Sequence, residues 1–494
     1  MKKLIEKYRS LFLWLLFIGT ATAIFLLGML TASISERRAE IVTLFQNKKV
    51  EITGIEPRNA IWGENYPREY ETWEKTKEMD FASMYHGNKP HDVLAERPEM
   101  VVLWAGYAFA MDYGNPRGHF YAIEDVHNTL RTGSPFSDDQ NIQPATCWSC
   151  KSPDVPRVME EGGVAEFYSK SWSHFGDEIV NPIGCADCHD PYDMSVSISR
   201  PALVEAFERM GKDIESSTLQ ERRSLACAQC HVEYYFTADG KYLTFPWDKG
   251  TSVEAMEEYY DEIGFHDWEH ALSKAPMLKA QHPDYELFMM GPHAQRGLSC
   301  ADCHMPYKSE GGIKYSDHHL VSPLKYIDRT CLVCHRDTPE KLMGYVYEYQ
   351  TKILEIRDRV EKELAKAHIM AKLAWEKGAT KSAMEQSLKL IRGAQWRWDF
   401  AVASHGASFH APVETQRILG HSLDKSYQAQ LEINKVLVSL GLTGEIVMPD
   451  ISTKERAQKY IGLDMAQIKE NKAKFVSEIV PQWLIKAKEN NRLL

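Results

Sequence analysis

The sequence predicts a mainly α fold: an irregular core of helices and loops, followed by long helices, with long strands absent. Three observations predict it. The ten cysteines fall into five CxxC pairs at 147/150, 185/188, 227/230, 300/303 and 331/334. Between Glu51 and about Thr338 the chain holds most of its Pro and Gly and only short periodic stretches, such as Val204 to Met210. From Pro339 an apolar residue recurs every 3 or 4 positions, at Leu342, Val346, Tyr349, Ile353, Ile356, Val360 and Leu364, as on one face of a helix.

The elements follow in order. Leu11 to Ala32 is a run of 22 residues without a charge, preceded by Lys2, Lys3, Lys7 and Arg9 against Glu6. Such a run can span a bilayer, and the basic flank keeps the N-terminus inside, so residues 33 to 494 are expected on the far side of the membrane. Two outcomes stay open: an uncleaved anchor over residues 11–32, or cleavage after Leu30-Thr31-Ala32, since Ala21-Thr22-Ala23 lies too deep in the run. Residues 33–50 read as a helical stalk. Residues 1–50 thus form an anchor or signal segment with its stalk, and 51–494 a single domain with long helices from about 339. In that region Gly378 and Gly393 mark expected breaks, a further helix runs from about His421 to Leu440, and a polar helical segment covers about Ala466 to Lys488.

Composition bounds the function. Hydrophobic residues at 44% and charged ones at 26% are a globular balance, which excludes disorder and collagen. Fifty-eight Lys and Arg against 69 Asp and Glu leave a net charge of -11, which argues against nucleic acid as a partner. A small molecule or a protein is expected instead.

The cysteine spacing carries the chemistry. Four pairs are followed at once by histidine, at His189, His231, His304 and His335. CxxCH is the attachment signature of haem c: the two thiols bond the porphyrin and the histidine becomes an axial iron ligand. Zinc would not demand a histidine after every second cysteine, and a thioredoxin-like dithiol would not repeat. The fifth pair, Cys147-Trp148-Ser149-Cys150, is followed by Lys151. A lysine ligand must first lose its proton, from a pKa of about 10.4, so the iron it holds is set apart from the others. Porphyrins buried on both faces replace side-chain packing, which accounts for the irregular middle and argues for one domain. Fifteen further histidines are available as second axial ligands.

One CxxCK followed by four CxxCH motifs, in this order, resembles pentahaem cytochrome c nitrite reductase, the ammonia-forming enzyme. The resemblance runs from about Trp62 to Pro412 and includes Asn128–Gly133, Cys227–Tyr234, Lys279–Pro283 and Gln395–Asp399. The first and last 50 residues match loosely or not at all, and the long apolar run departs from a typical cleaved leader. The resemblance implies an exported, periplasmic oxidoreductase of mainly α multihaem cytochrome c fold. It would carry five covalent haems c and reduce nitrite to ammonium with six electrons. Lys151 would ligate the active haem, with Arg131, Tyr234 and His282 around its open side. An arginine supplies a permanent cation for the anion, a histidine a proton and a tyrosine a phenol.

The same resemblance assigns distal ligands: His318 to the Cys185/Cys188 haem, His119 to the Cys227/Cys230 haem, His410 to the Cys300/Cys303 haem and His293 to the Cys331/Cys334 haem. His319 and His405 remain alternatives to His318 and His410. It also implies calcium held by the Glu233 carboxylate, the Tyr234 and Lys279 carbonyls and the Gln281 side-chain oxygen, for which oxygen donors are suited. A homodimer through the long helices and a membrane-bound, quinol-oxidising multihaem cytochrome as electron donor complete the expectation. A pure electron-transfer cytochrome is the alternative, and Lys151 speaks against it. A hydroxylamine-type oxidoreductase usually carries eight haems, whereas ten cysteines permit five. Sulfite is a conceivable second substrate.

Overall fold

The computed structural model describes residues 8–46, 48–85, 87–115, 117–137 and 143–493. The basic residues Lys2, Lys3 and Lys7 lie outside them. Helix α1 (Arg9–Gln46) runs unbroken through the apolar run and the first part of the expected stalk, whereas residues 48–50 are not helical. Its Arg9–Arg37 part is long and apolar enough to cross a membrane and has nothing packed around it. Directly after it, Lys48 donates to the carbonyl of Tyr192 at 2.7 Å, and Asn65 Oδ1 accepts the N–H groups of Lys49 and Val50. These bonds tie the end of the stalk to the body.

Short helices and turns make up the middle of the chain. Those used below are α2 (Ala122–Asn128) and α3 (Asp284–Met290). Among the described residues the named strands form three two-stranded antiparallel ribbons: Tyr235–Phe236 with Leu243–Thr244, Trp268–Glu269 with Pro276–Met277, and Tyr307–Glu310 with Ile313–Ser316. No strand among the described residues exceeds 4 residues, in line with the expectation that long strands are absent.

The last third is helical. Helices α4 (Pro339–Glu376), α5 (Lys381–Ala403) and α6 (Pro412–Ser439) pack together, with α7 (Met465–Glu478) and α8 (Val480–Glu489) returning to the N-terminal half. At 38 residues α4 is about 57 Å long. Its inner stripe includes Leu342, Val346, Ile353, Val360 and Leu364, whereas Tyr349 faces out and Gln350 is buried beside it.

Several boundaries differ from expectation. Helix α4 ends just before Gly378 as expected, but α5 passes through Gly393 without a break. A Cβ there would stand 2.8 Å from Glu257 Oε1, so this glycine makes room for the Glu257–Arg397 ion pair (2.7 Å) and does not end the helix. Helix α6 starts at Pro412, nine residues before His421, because proline fits the first turn, where no N–H bond is needed. The C-terminal segment divides at Ile479, with Pro481 in the first turn of α8.

The core is aromatic. Trp62, Trp104, Trp148, Trp172, Trp247, Trp396 and Trp398 are all essentially fully buried. Trp148 belongs to the CWSCK turn, and its indole N–H donates to the Trp172 carbonyl at 2.8 Å. The turn is therefore part of the core.

Candidate active site and haem attachment sites

The five CxxC turns form a connected set. The Cys150 thiol contacts Cys230, and Cys227 contacts Cys300. Cys188 lies within electrostatic reach of Cys230, and Cys303 of Cys331 and Cys334. None of the ten cysteines is paired in a disulfide, and nine are half-buried, Cys334 being exposed.

Four histidines of the CxxCH motifs stand opposite a second imidazole. Ring centres are 6.4 Å apart for His119 and His231, 6.2 Å for His189 and His318, and 6.3 Å for both His293–His335 and His304–His410. A metal–nitrogen bond of about 2.0 Å and about 1.1 Å from nitrogen to ring centre, doubled, give about 6.2 Å for two imidazoles on one ion. The spacing therefore fits an iron between each pair.

Hydrogen bonds orient several of these rings. The Nδ1–H of His189 donates to the Met194 carbonyl at 3.0 Å and that of His318 to the Ser316 carbonyl at 2.9 Å, leaving Nε2 free to ligate. His231 Nδ1 lies 3.5 Å from the Asp284 carboxylate, which also accepts the Ser404 hydroxyl at 2.6 Å. Burial pushes His119 down to about 3 and His304 to about 4, which keeps the rings in the neutral form that binds metal. Of the two pairs of alternative candidates, His318 faces His189, while His319 Nδ1 is 2.8 Å from the Tyr326 hydroxyl. His410 faces His304, whereas His405 sits near Asp284, His231 and Arg97.

The Lys151 site is built differently. Arg200, buried, donates to the carbonyls of Ser149 (2.6 Å) and Ser152 (2.8 Å), on either side of Lys151, and pairs with Asp187 of the Cys185–Cys188 turn. Arg131 and Lys151 both act on the Cys147 thiol, and Cys147 and Cys150 both act on Tyr234. His282 is held well below its ordinary pKa by burial and then by the Lys151 charge. Arg131, Lys151, Tyr234 and His282 thus share one neighbourhood. The Arg131 guanidinium lies 4.5 Å from the centre of the Phe109 ring, and its Nε donates to Thr129 Oγ1 at 3.1 Å.

Glu233, Lys279 and Gln281 surround Tyr234 and His282. The Glu233 carboxylate is fully buried and accepts the Gln281 N–H at 2.6 Å and the Tyr260 hydroxyl at 3.2 Å. Burial, with repulsion from Glu286 and Asp267, pushes Glu233 well above its ordinary pKa. Asp267 rises to about 7 and Glu286 to about 8, both through burial first. The Lys279 ammonium is already paired with Asp399 at 2.8 Å. Carboxyls outnumber cations here and are held toward their neutral form, and a divalent cation would allow Glu233 to ionise. Among the described residues no three His, Cys, Asp or Glu side chains form a ready metal cage. A cation beside Glu233 would therefore need amide and backbone oxygens, donors that suit calcium.

Sequence reasoning missed Arg200, Asp284 and Asp399. Asp399 lay inside the quoted Gln395–Asp399 segment, but nothing in the sequence shows that it grips the Lys279 side chain and the Ala280 N–H (3.2 Å).

Paired thiols followed by histidines, each histidine facing a second imidazole, define a multihaem c-type cytochrome. Comparison with known proteins agrees. The family model of cytochrome c552 matches residues 58–491, and the chain belongs to that family. It is 64% identical to a cytochrome c-552 from Bacteroides fragilis over 99% of both chains, and 57% identical to one from Porphyromonas gingivalis over 100% of this chain and 99% of the relative. Among solved structures it is similar to the cytochrome c nitrite reductase from Desulfovibrio desulfuricans, whose catalytic subunit is described with two calcium sites. The TM-score is 0.75 at 32% identity, covering 85% of this chain and 91% of that one.

Proposed function

We propose that the chain is an exported cytochrome c nitrite reductase that converts nitrite to ammonium at a haem held by Cys147, Cys150 and Lys151. Four bis-histidine haems would feed it. One contrast carries this reading: every CxxCH histidine faces a second imidazole, while Lys151 shares its surroundings with Arg131, Tyr234 and His282. Similarity to a nitrite reductase over most of the chain supports it.

Haem c, when bound, supplies an iron able to take nitrite through nitrogen and pass it electrons. The protein must do the rest. Arg131 offers its guanidinium to the anion and is held in place by the Thr129 hydroxyl and the Phe109 face. His282 is neutral at rest, so it can accept a proton as charge builds on the substrate oxygens and hand it on as water leaves. Tyr234 keeps its phenol proton, since burial raises its pKa, and can donate a hydrogen bond throughout. Reduction consumes six electrons and eight protons per nitrite, so His282 must pass protons repeatedly while Tyr234 holds its hydrogen bond.

The remaining haems would attach at Cys185/Cys188/His189 with His318, Cys227/Cys230/His231 with His119, Cys300/Cys303/His304 with His410, and Cys331/Cys334/His335 with His293. Calcium at Glu233, Tyr234, Lys279 and Gln281 would hold Tyr234 and His282 in register. Residues 51–494 act as one catalytic domain on the periplasmic side, tethered by α1 when it is retained. We assign a homodimer and a quinol-oxidising membrane cytochrome as donor on the resemblance alone.

The test is ammonium production from nitrite by the purified holoprotein, with Arg131→Ala and His282→Ala alongside it. Both variants should lose most nitrite reduction while the spectra of the bis-histidine haems persist. Unchanged turnover in both would refute the assigned pocket.

A further inference from the structure

Helices α7 and α8 pack on the segment that carries Arg131 and, through Trp172, reach the turn that carries Lys151, although they lie more than 300 residues further along the chain. Lys472 on α7 is buried, and its ammonium donates to the His127 carbonyl and to Thr132 Oγ1, both at 3.1 Å. These acceptors bracket the segment 128–131. Inside the bracket, Asp112 accepts the Leu130 N–H and the Thr129 hydroxyl, each at 3.1 Å. Thr129 in turn holds the Arg131 side chain.

The contact continues to the CWSCK turn. Phe475 of α7 and Trp483 of α8 meet Trp172 edge-on, at 5.7 and 5.6 Å between ring centres. Trp172 donates its indole N–H to the Thr132 carbonyl at 3.1 Å and accepts that of Trp148 at its own carbonyl. Trp483 also covers Gly176 so closely that a Cβ there would fall 2.3 Å from the indole. One C-terminal unit therefore touches the arginine loop and, through Trp172, the lysine turn.

We propose that Lys472 is a positioning residue for nitrite binding, which fixes the Arg131 loop over the Lys151 haem by clamping His127 and Thr132. This rests on the reading of Arg131 as the nitrite-binding cation. Burial lowers the Lys472 pKa to about 8, with the Asp112 charge opposing. An amine kept there at that cost is not needed to fill space, because methionine has nearly the same length and no charge to desolvate. What methionine lacks is the pair of hydrogen bonds that sets the loop.

The experiment compares Lys472→Met, Lys472→Arg, Thr132→Val and Arg131→Ala as holoproteins, measuring kcat and KM for nitrite, thermal stability and haem spectra. Thr132→Val removes one clamp acceptor and, with it, the hydroxyl's own bonds to the Val126 (2.8 Å) and Thr129 (3.1 Å) carbonyls, so a wild-type KM in this variant overturns the clamp even if Lys472→Met fails to fold. We expect Lys472→Met and Thr132→Val to raise KM by about tenfold, since displacements near 1 Å can cost more than that. Their kcat and bis-histidine spectra should change little, and Lys472→Arg should recover part of the KM. The double variant Arg131→Ala/Lys472→Met should bind nitrite no worse than Arg131→Ala alone, because a residue that acts only through Arg131 has nothing left to position. Wild-type KM in Lys472→Met and Thr132→Val, with KM raised in Arg131→Ala, overturns the clamp and leaves the nitrite pocket standing. Unchanged KM in Arg131→Ala overturns both.

Discussion

Lys151 stands where four other CxxC pairs carry histidine, and its turn is stapled by Arg200 through the Ser149 and Ser152 carbonyls. An amine has no second nitrogen to be oriented by a neighbour, so the backbone must do the orienting. Lys151→His should therefore keep the haem and the fold but lower kcat by about tenfold, about 1.4 kcal/mol on the barrier. Steady-state nitrite reduction with an intact haem spectrum checks this, and unchanged kcat would mean that the ligand's identity is immaterial. The neighbouring Glu233 carboxylate is buried among other acids. Removing calcium with a chelator should leave that charge unbalanced, loosen Tyr234 and His282 and raise KM for nitrite by about tenfold. Restoration by calcium and not by magnesium would confirm that a flexible oxygen cage is involved.

Single elements show why part of the site was hidden from sequence. The CxxC pairs could be read because their chemistry requires fixed spacing, and α4 could be read from its 3 and 4 residue period. Close approaches leave no such trace. Gly291, just after α3, comes so near the backbone of His410 that a Cβ would lie 1.8 Å from its carbonyl oxygen. Gly291→Ala should push His410 away from His304, costing about 2–4 kcal/mol of stability and altering one low-spin haem signal. Thermal unfolding together with EPR of the holoprotein tests it, and a wild-type signal would show that the two segments can separate freely. The preference for His318 over His319 came from the resemblance alone, since adjacent histidines are alike in residue type; the fold turns one ring toward His189 and the other toward Tyr326. Gly393 misled in the other direction, since a glycine that makes room for an ion pair reads like one that ends a helix.

Across the whole molecule, the overall plan was legible and the long-range support was not. Apolar periodicity and cysteine spacing are local, so they foretold a helix-and-loop core followed by long helices. The bonds that hold the site span the chain: Asp399 to Lys279, Arg200 to the CWSCK turn, and Lys472 to His127. At this scale five covalent haems per chain are expected. Intact mass should exceed the polypeptide by five haem masses, and four would mean that the CWSCK pair takes none.

The central claim is that one iron is open and four are closed. EPR of the oxidised holoprotein, recorded before and after adding nitrite or cyanide, tests it most directly. One high-spin signal should respond to either ligand, while the low-spin signals of the four bis-histidine haems stay in place apart from magnetic coupling to the nearest neighbour. Spectra showing only low-spin iron, unmoved by either ligand, would contradict it and identify the chain as an electron carrier.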